Sequence, residues 1–154
     1  MAITPNFTQA DVKARFDKFL GIVESRAIKR LQYLGEICVK HAKEIPAGSG
    51  FTDQTGNLRS SIGYMVFVRG VAVHEFYESV NGGALGVSTG KALASKVGAK
   101  YKDGIALVVT AGMDYAVAVE SRGKDVLTSA ESLAKTELPR MLAELKANIN
   151  KALK

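Results

Sequence analysis

Apolar residues recur every three or four positions along the first third of this chain: Val12, Phe16, Phe19, Val23, Ala27, Leu31, Leu34, Cys38, Ala42 and Ile45. That spacing places them on one stripe of an α-helix. A helix reaching to about Glu44 is on the order of 50 Å long at 1.5 Å per residue. The rest of a 154-residue chain cannot enclose such a rod, so it overhangs its own core. Ile22, Ile28 and Ile37 widen the apolar face beyond a narrow seam. The surplus face either covers a sheet or packs on a neighbouring copy, and the two are compatible. Thr8 is a cap with Asp11 three residues on, Phe7 and Val12 can form a hydrophobic staple, and Pro46, Gly48 and Gly50 end the helix.

Residues 62–69 and 71–77, rich in Val, Phe and Tyr, flank Gly70 and read as a β-hairpin. The glycine-rich stretch 79–104 is expected to be a flexible arm, with a loop in its first half and a short helix over 91–101. Residues 105–111 read as a buried strand. Residues 114–121 are ambiguous, because Tyr115, Val117 and Val119 alternate like a strand while Ala116 and Ala118 suit a helix. Thr128-Ser129-Ala130-Glu131 is a capping box for a last helix over 129–153, with Pro139 expected to kink it. The order predicts one α+β domain over residues 1–154: a long N-terminal and a C-terminal helix on a small, mainly antiparallel sheet, with a Gly-rich arm.

A domain of this size buries roughly 68–70% of its unfolded surface, so a core forms without staples. The single Cys38 fits a reducing compartment. The N-terminal residues lack the basic and apolar regions of a secretory signal, and the apolar runs fall far short of a membrane span. No membrane association and a cytosolic site of synthesis are therefore expected. The net charge of +6 favours an acidic partner, but 21 Lys and Arg are interspersed with 15 acids, as on an ordinary solvated surface.

Residue patterns that carry reaction chemistry are nearly absent from the sequence, and neither catalysis, a cofactor nor a metal is expected. His41 and His74 have no second ligand at metal-binding spacing, and no Gly-x-Ser-x-Gly elbow exists. Residues 86–91 (Gly-Val-Ser-Thr-Gly-Lys) resemble a phosphate-binding loop but are one residue short, and Ala92 stands where a magnesium-binding hydroxyl belongs. They read as a flexible glycine loop entering a short helix. Asp53, Asp114, Glu120 and Asp125 read as ordinary partners of Arg59, Arg69 or Arg122.

The segment between the long helix and the hairpin is more informative. In Thr55-Gly56-Asn57-Leu58-Arg59-Ser60-Ser61-Ile62, Gly56-Asn57 suits a tight or left-handed turn, Leu58 anchors it, and Arg59 ties it down through charged hydrogen bonds. A structural joint leading into a strand fits better than a partner contact. The segment resembles the Thr-Gly-Asn-Leu-Arg-x-Ser-Ile pattern that follows the first long helix in the tail-completion or head–tail joining family of long-tailed phages. That family's Tyr-Ala-x-x-Val-Glu segment is matched by Tyr115, Ala116, Val119 and Glu120. Residues 112–116 and 125–128 are similar to a branch from phages and prophages of gut Bacteroides-type bacteria. The chain departs from many relatives at Ser121-Arg122-Gly123-Lys124, where they carry Gly-Thr, and its glycine-rich stretch is longer.

The resemblance implies a non-enzymatic virion assembly protein, made in the host cytoplasm and carried in the virion. It implies a homo-oligomeric ring, hexameric by expectation, that joins the tail to the connector and contacts connector and tail-tube proteins. Lys91, Lys96, Lys100 and Lys102 of the arm then become candidates for passing contact with DNA or a neighbouring subunit. The alternative is a small basic nucleic-acid-binding module, disfavoured by the absence of Trp and of a recognition helix. A small hydrolase requires convergent buried acids that no spacing here forces together.

Overall fold

The computed structural model describes residues 6–152. α1 spans Gln9–Glu44, 36 residues or about 54 Å. It starts where the sequence places it: Thr8 Oγ1 accepts from the Asp11 N–H at 3.2 Å, and Asp11 accepts in return from the Thr8 N–H at 2.8 Å. These local bonds hold the Asp11 carboxyl below its usual range. Phe7 and Val12 both remain largely exposed.

Five shorter elements follow α1 before the last two helices: α2 (Asn57–Ser61), β1 (Ile62–Val68), β2 (Val71–Phe76), α3 (Ala84–Gly98) and β3 (Ile105–Ala111). β1 is the middle strand of an antiparallel three-stranded sheet, order β2-β1-β3, and is buried along its whole length. Arg69 (φ 51°) and Gly70 (φ 80°) make the two-residue hairpin turn, the paired positive φ values that match strand twist. Arg69 is held in that conformation from both sides. Its guanidinium pairs with Glu24 of α1 at 2.8 Å, and its N–H donates to the Gly104 carbonyl at 2.9 Å.

Alternation along β1 feeds two cores. Ile62, Tyr64 and Val66 join Leu34, Cys38, Val39 and Ala42 of α1, whereas Met65 and Phe67 join Ala94 of α3 and Val108 of β3. The result is three layers: α1 and α5 on one face, the sheet, then α3 with α2 on the other. α4 (Ala116–Ser121) and α5 (Thr128–Ala152) complete the chain. α5 runs past Pro139 without a break, and that proline is exposed. Leu153, the expected last residue of that helix, lies outside the described residues.

The first half of the glycine-rich stretch differs from expectation. Residues 84–98 are one helix, not a loop entering a short helix. Gly86, Gly90, Ala94 and Gly98 recur every fourth residue and form its buried face. A Cβ at Gly86 would collide with the Asn57 carbonyl oxygen, and one at Gly90 would sit 2.5 Å from that of Ser61. These glycines let α3 lie directly on α2 and on the end of β1, and tertiary packing overrides their poor helix propensity.

Two glycine substitutions separate packing from propensity. Gly86→Ala must displace backbone and is expected to destabilise by about 2–3 kcal/mol. Gly21→Ala in exposed α1 meets nothing within 4 Å and is expected to stabilise by about 0.5–1 kcal/mol. Urea denaturation of both variants checks the contrast.

Candidate functional site

The joint is a small helix wedged between three elements. Gly56 (φ 74°) precedes α2 in the left-handed region, and a Cβ there would collide with the Val80 carbonyl oxygen. Asp53 Oδ2 accepts the Arg59 N–H at 2.8 Å, so a side chain satisfies one of the free donors of the first turn. Asn57 Oδ1 accepts from the Gly86 N–H of α3 at 3.3 Å, which ties α2 to that helix. Ser60 Oγ accepts from the Val80 N–H at 2.8 Å and donates to the Val80 carbonyl at 3.2 Å. Leu58 is fully buried in the main core, and Ser61 donates back to the Leu58 carbonyl at 2.8 Å.

Arg59 reaches the other way. Its Nη1 donates to the Lys43 carbonyl near the end of α1, and its guanidinium lies 5.3 Å from the centroid of the Phe51 ring. Beside it the Lys43 Nζ is buried without a hydrogen-bond partner among the described residues. Burial pushes that ammonium's pKa down; Glu78 opposes the shift and Arg59 adds to it. The expected turn into a strand is thus a short helix, and its polar groups hold α1, α3 and the 80–83 turn in register.

Tyr115, Ala116, Val119 and Glu120 form a second brace. Ala116 is buried in the main core, Val119 packs against it, and Tyr115 is exposed. Glu120 Oε1 accepts from the N–H of Leu127 at 3.0 Å, the N–H of Thr128 at 2.8 Å and the Thr128 hydroxyl at 2.7 Å. Partial burial alone would raise this carboxyl's pKa, but these donors outweigh it and hold it below the usual range. The expected capping box at 128–131 does not form. Thr128 is already helical, and Glu120 with Asp125, which accepts from the Ser129 N–H at 3.2 Å, caps α5 instead. The two braces meet where Asp125 bridges Gly50 and donates its N–H to the Ser49 carbonyl at 3.0 Å.

The arm lysines do not form one group. Lys91 Nζ pairs with Glu75 of β2 at 2.6 Å. Lys96 lies in the last turn of α3 and Lys100 just beyond it, and the Lys102 side chain runs along Gly70 at the hairpin turn, beside Arg69. Residues 86–91 are helical throughout, and backbone carbonyls occupy the space against both glycines, leaving no cradle for a phosphate. His41 Nε2 lies 3.0 Å from the Ser129 hydroxyl and His74 Nε2 lies 3.1 Å from the Tyr64 hydroxyl. Burial, with Glu36 adding to it, pushes that phenol up to about 12. Among the described residues no group of three or more His, Cys, Asp or Glu is placed to hold a metal, and no helix is long and apolar enough to cross a membrane.

Two apolar surfaces stand out, the overhang expected from the length of α1 and a trough that no sequence pattern marked. Beyond Glu24, where the hairpin turn grips α1, the apolar stripe of that helix leaves the core: Val12 and Phe16 are 52% and 59% exposed, Phe19 and Val23 are half-buried, and Leu20 on the flank of the stripe is 47% exposed. Between α1, β3 and α5 lies an apolar trough of about 720 Å³, walled by Leu31, Leu107, Val109, Leu127, Leu138 and Leu142. The overhang was legible in helix length; the trough depends on the gap between β3 and α5, which no local pattern encodes. Comparisons of this chain with known protein families, curated proteins and solved structures find no match.

Two substitutions check the braces. Glu120→Ala is expected to cost about 1 kcal/mol through the missing cap. A carboxyl held low in the folded state contributes stability above its unfolded pKa and loses it as pH falls through the folded value. The variant's acid unfolding limb should therefore be flatter than the parent's. Lys43→Met removes a buried ammonium that has no hydrogen-bond partner among the described residues and should leave stability equal or higher near neutrality. Because the Lys43 pKa is lowered in the fold, its penalty fades as pH rises toward the ordinary lysine value, so the variant's advantage should shrink there.

Proposed function

We propose that this chain is a non-enzymatic structural component of a phage particle, of the tail-completion or head–tail joining kind. In this reading copies assemble into a ring, hexameric in expectation, that links the tail to the connector. The protein is made in the bacterial cytoplasm and ends in the virion, with connector and tail-tube proteins as neighbours.

The observation that carries the reading is the bare apolar stripe on the α1 overhang. An exposed contiguous patch of large apolar side chains costs solubility and marks a contact surface. Two sheet edges, β2 and β3, are also unpaired within the described residues. The class of assembly comes from the Thr55–Ile62 and Tyr115–Glu120 motifs, which act here as braces of the fold. Their role therefore lies in presenting the contact surfaces and not in touching the partner.

The alternative, a small basic nucleic-acid-binding module, is favoured by one feature: Lys102 runs along the hairpin turn beside Arg69, and Lys96 and Lys100 flank the end of α3 that meets that turn. Negative-stain imaging of the purified protein at high concentration tests the first reading, which expects annular particles. A protein that stays monomeric and binds duplex DNA with an affinity falling steeply with salt would establish the alternative. In that case, replacing Lys96, Lys100 and Lys102 by Gln should shallow the salt slope by about 0.9 for each phosphate no longer neutralised. Under the ring reading, an unchanged virion after substitution of Lys91, Lys96, Lys100 and Lys102 would make the segment a packed strut that does not touch DNA.

A further inference from the structure

The overhang and the trough are a convex and a concave apolar surface on one chain, and the same helix stripe builds both. From Ala27 to Cys38 the stripe of α1 forms one wall of the trough; from Val12 to Val23 it runs past the hairpin grip at Glu24, mostly uncovered. We propose that the α1 overhang of one copy, residues 12–23, seats in the α1/β3/α5 trough of the next copy, head to tail. This rests on the reading of the chain as an assembly component and names the surfaces that assembly uses.

Geometry and area favour this occupant. The overhang is roughly 18 Å of helix over residues 12–23. One aromatic side chain buries roughly 150–250 Å². With Phe16 more than half exposed, and Val12, Leu20 and Ile22 near half, the stripe and its two flanks together offer on the order of 400 Å² of apolar area, Leu20 and Ile22 lying on opposite sides of it. A stable interface takes roughly 800 Å² from each partner. Two overhangs paired with each other bury only their stripes and leave both troughs open. A helix laid in a groove is covered on its flanks as well, and it fills the space beside β3, whose outer edge has no strand among the described residues.

The charges at the trough present no obstacle. Arg30 pairs with Glu144 at 3.2 Å and Glu131 with Lys135 at 2.6 Å, so docking strands no unpaired charge there. Plug and socket are different surfaces, so the contact is heterologous. Such contacts propagate, and they close into a ring when the rotation between copies permits.

Mixed-chain cross-linking tests this. In a Cys38→Ala background, Lys13→Cys marks the flank of the plug and Leu142→Cys, half-exposed, marks the trough. A short bis-maleimide is added to each variant alone and to their mixture, at millimolar chain concentration. The expected result is a covalent dimer from the mixture, at least tenfold above either variant alone. The double variant should give a ladder of higher oligomers. Phe16→Asp with Leu20→Asp, on the part of α1 beyond the core, should keep the circular dichroism spectrum and abolish the ladder. Dimers from Lys13→Cys alone would mean overhang-to-overhang pairing and overturn the proposal. Annular particles without mixed-chain products would overturn it while leaving ring assembly standing. Neither particles nor products would overturn both.

Discussion

The position of α1 on the sheet is set where Gly35 meets the ring of Tyr64. A Cβ at Gly35 would fall 2.5 Å from that ring, so only glycine lets the helix come so close. Tyr64 is fully buried on the central strand, and its hydroxyl lies within reach of His74 on β2 and Glu36 on α1. One residue thus ties the long helix to the middle and one edge of the sheet. On the opposite face Gly98 makes the matching approach to Phe67, which seats α3. Once these contacts fix both helices on β1, the C-terminal end of α1 is committed to the core and its N-terminal end must project.

The two sequence motifs follow from that commitment. Both lie at the core end of α1, where the chain turns back sharply and where α5 begins. Arg59 bonds the end of α1, Asn57 and Ser60 hold the approach to α3, and Glu120 caps α5. Apart from the exposed Tyr115, their side-chain polar groups bond within the chain. A motif used up in bracing helps to set the angle of the projecting helix, and in the proposed assembly it would act through that angle.

What the sequence disclosed depended on how local each interaction is. The start of α1 was legible because Thr8 and Asp11 lie three residues apart and cap each other. The hairpin was legible from its β-branched and aromatic runs around Gly70. The start of α5 was placed to within a residue but its cap was misread, because that cap is Glu120, eight residues before Thr128 and on a separate helix. Residues 84–90 were misread as loop because glycine composition outweighed its four-residue spacing, the signal that marks a helix face built for close approach. The overhang was implied by helix length alone, whereas the trough exists only because β3 and α5 diverge in three dimensions.

If the projecting half of α1 is the contact surface and the motif residues are its support, self-association should protect the first and leave the second alone. Hydrogen exchange followed as a function of chain concentration reads both regions at once. Free amides at the end of an unsupported helix open readily, while those in a packed core open rarely. Amides of residues 9–23 are predicted to gain protection as concentration rises, while those of residues 57–62 and 120–129 do not change. Protection gained at the motif residues, with the overhang unaffected, would contradict this division of roles.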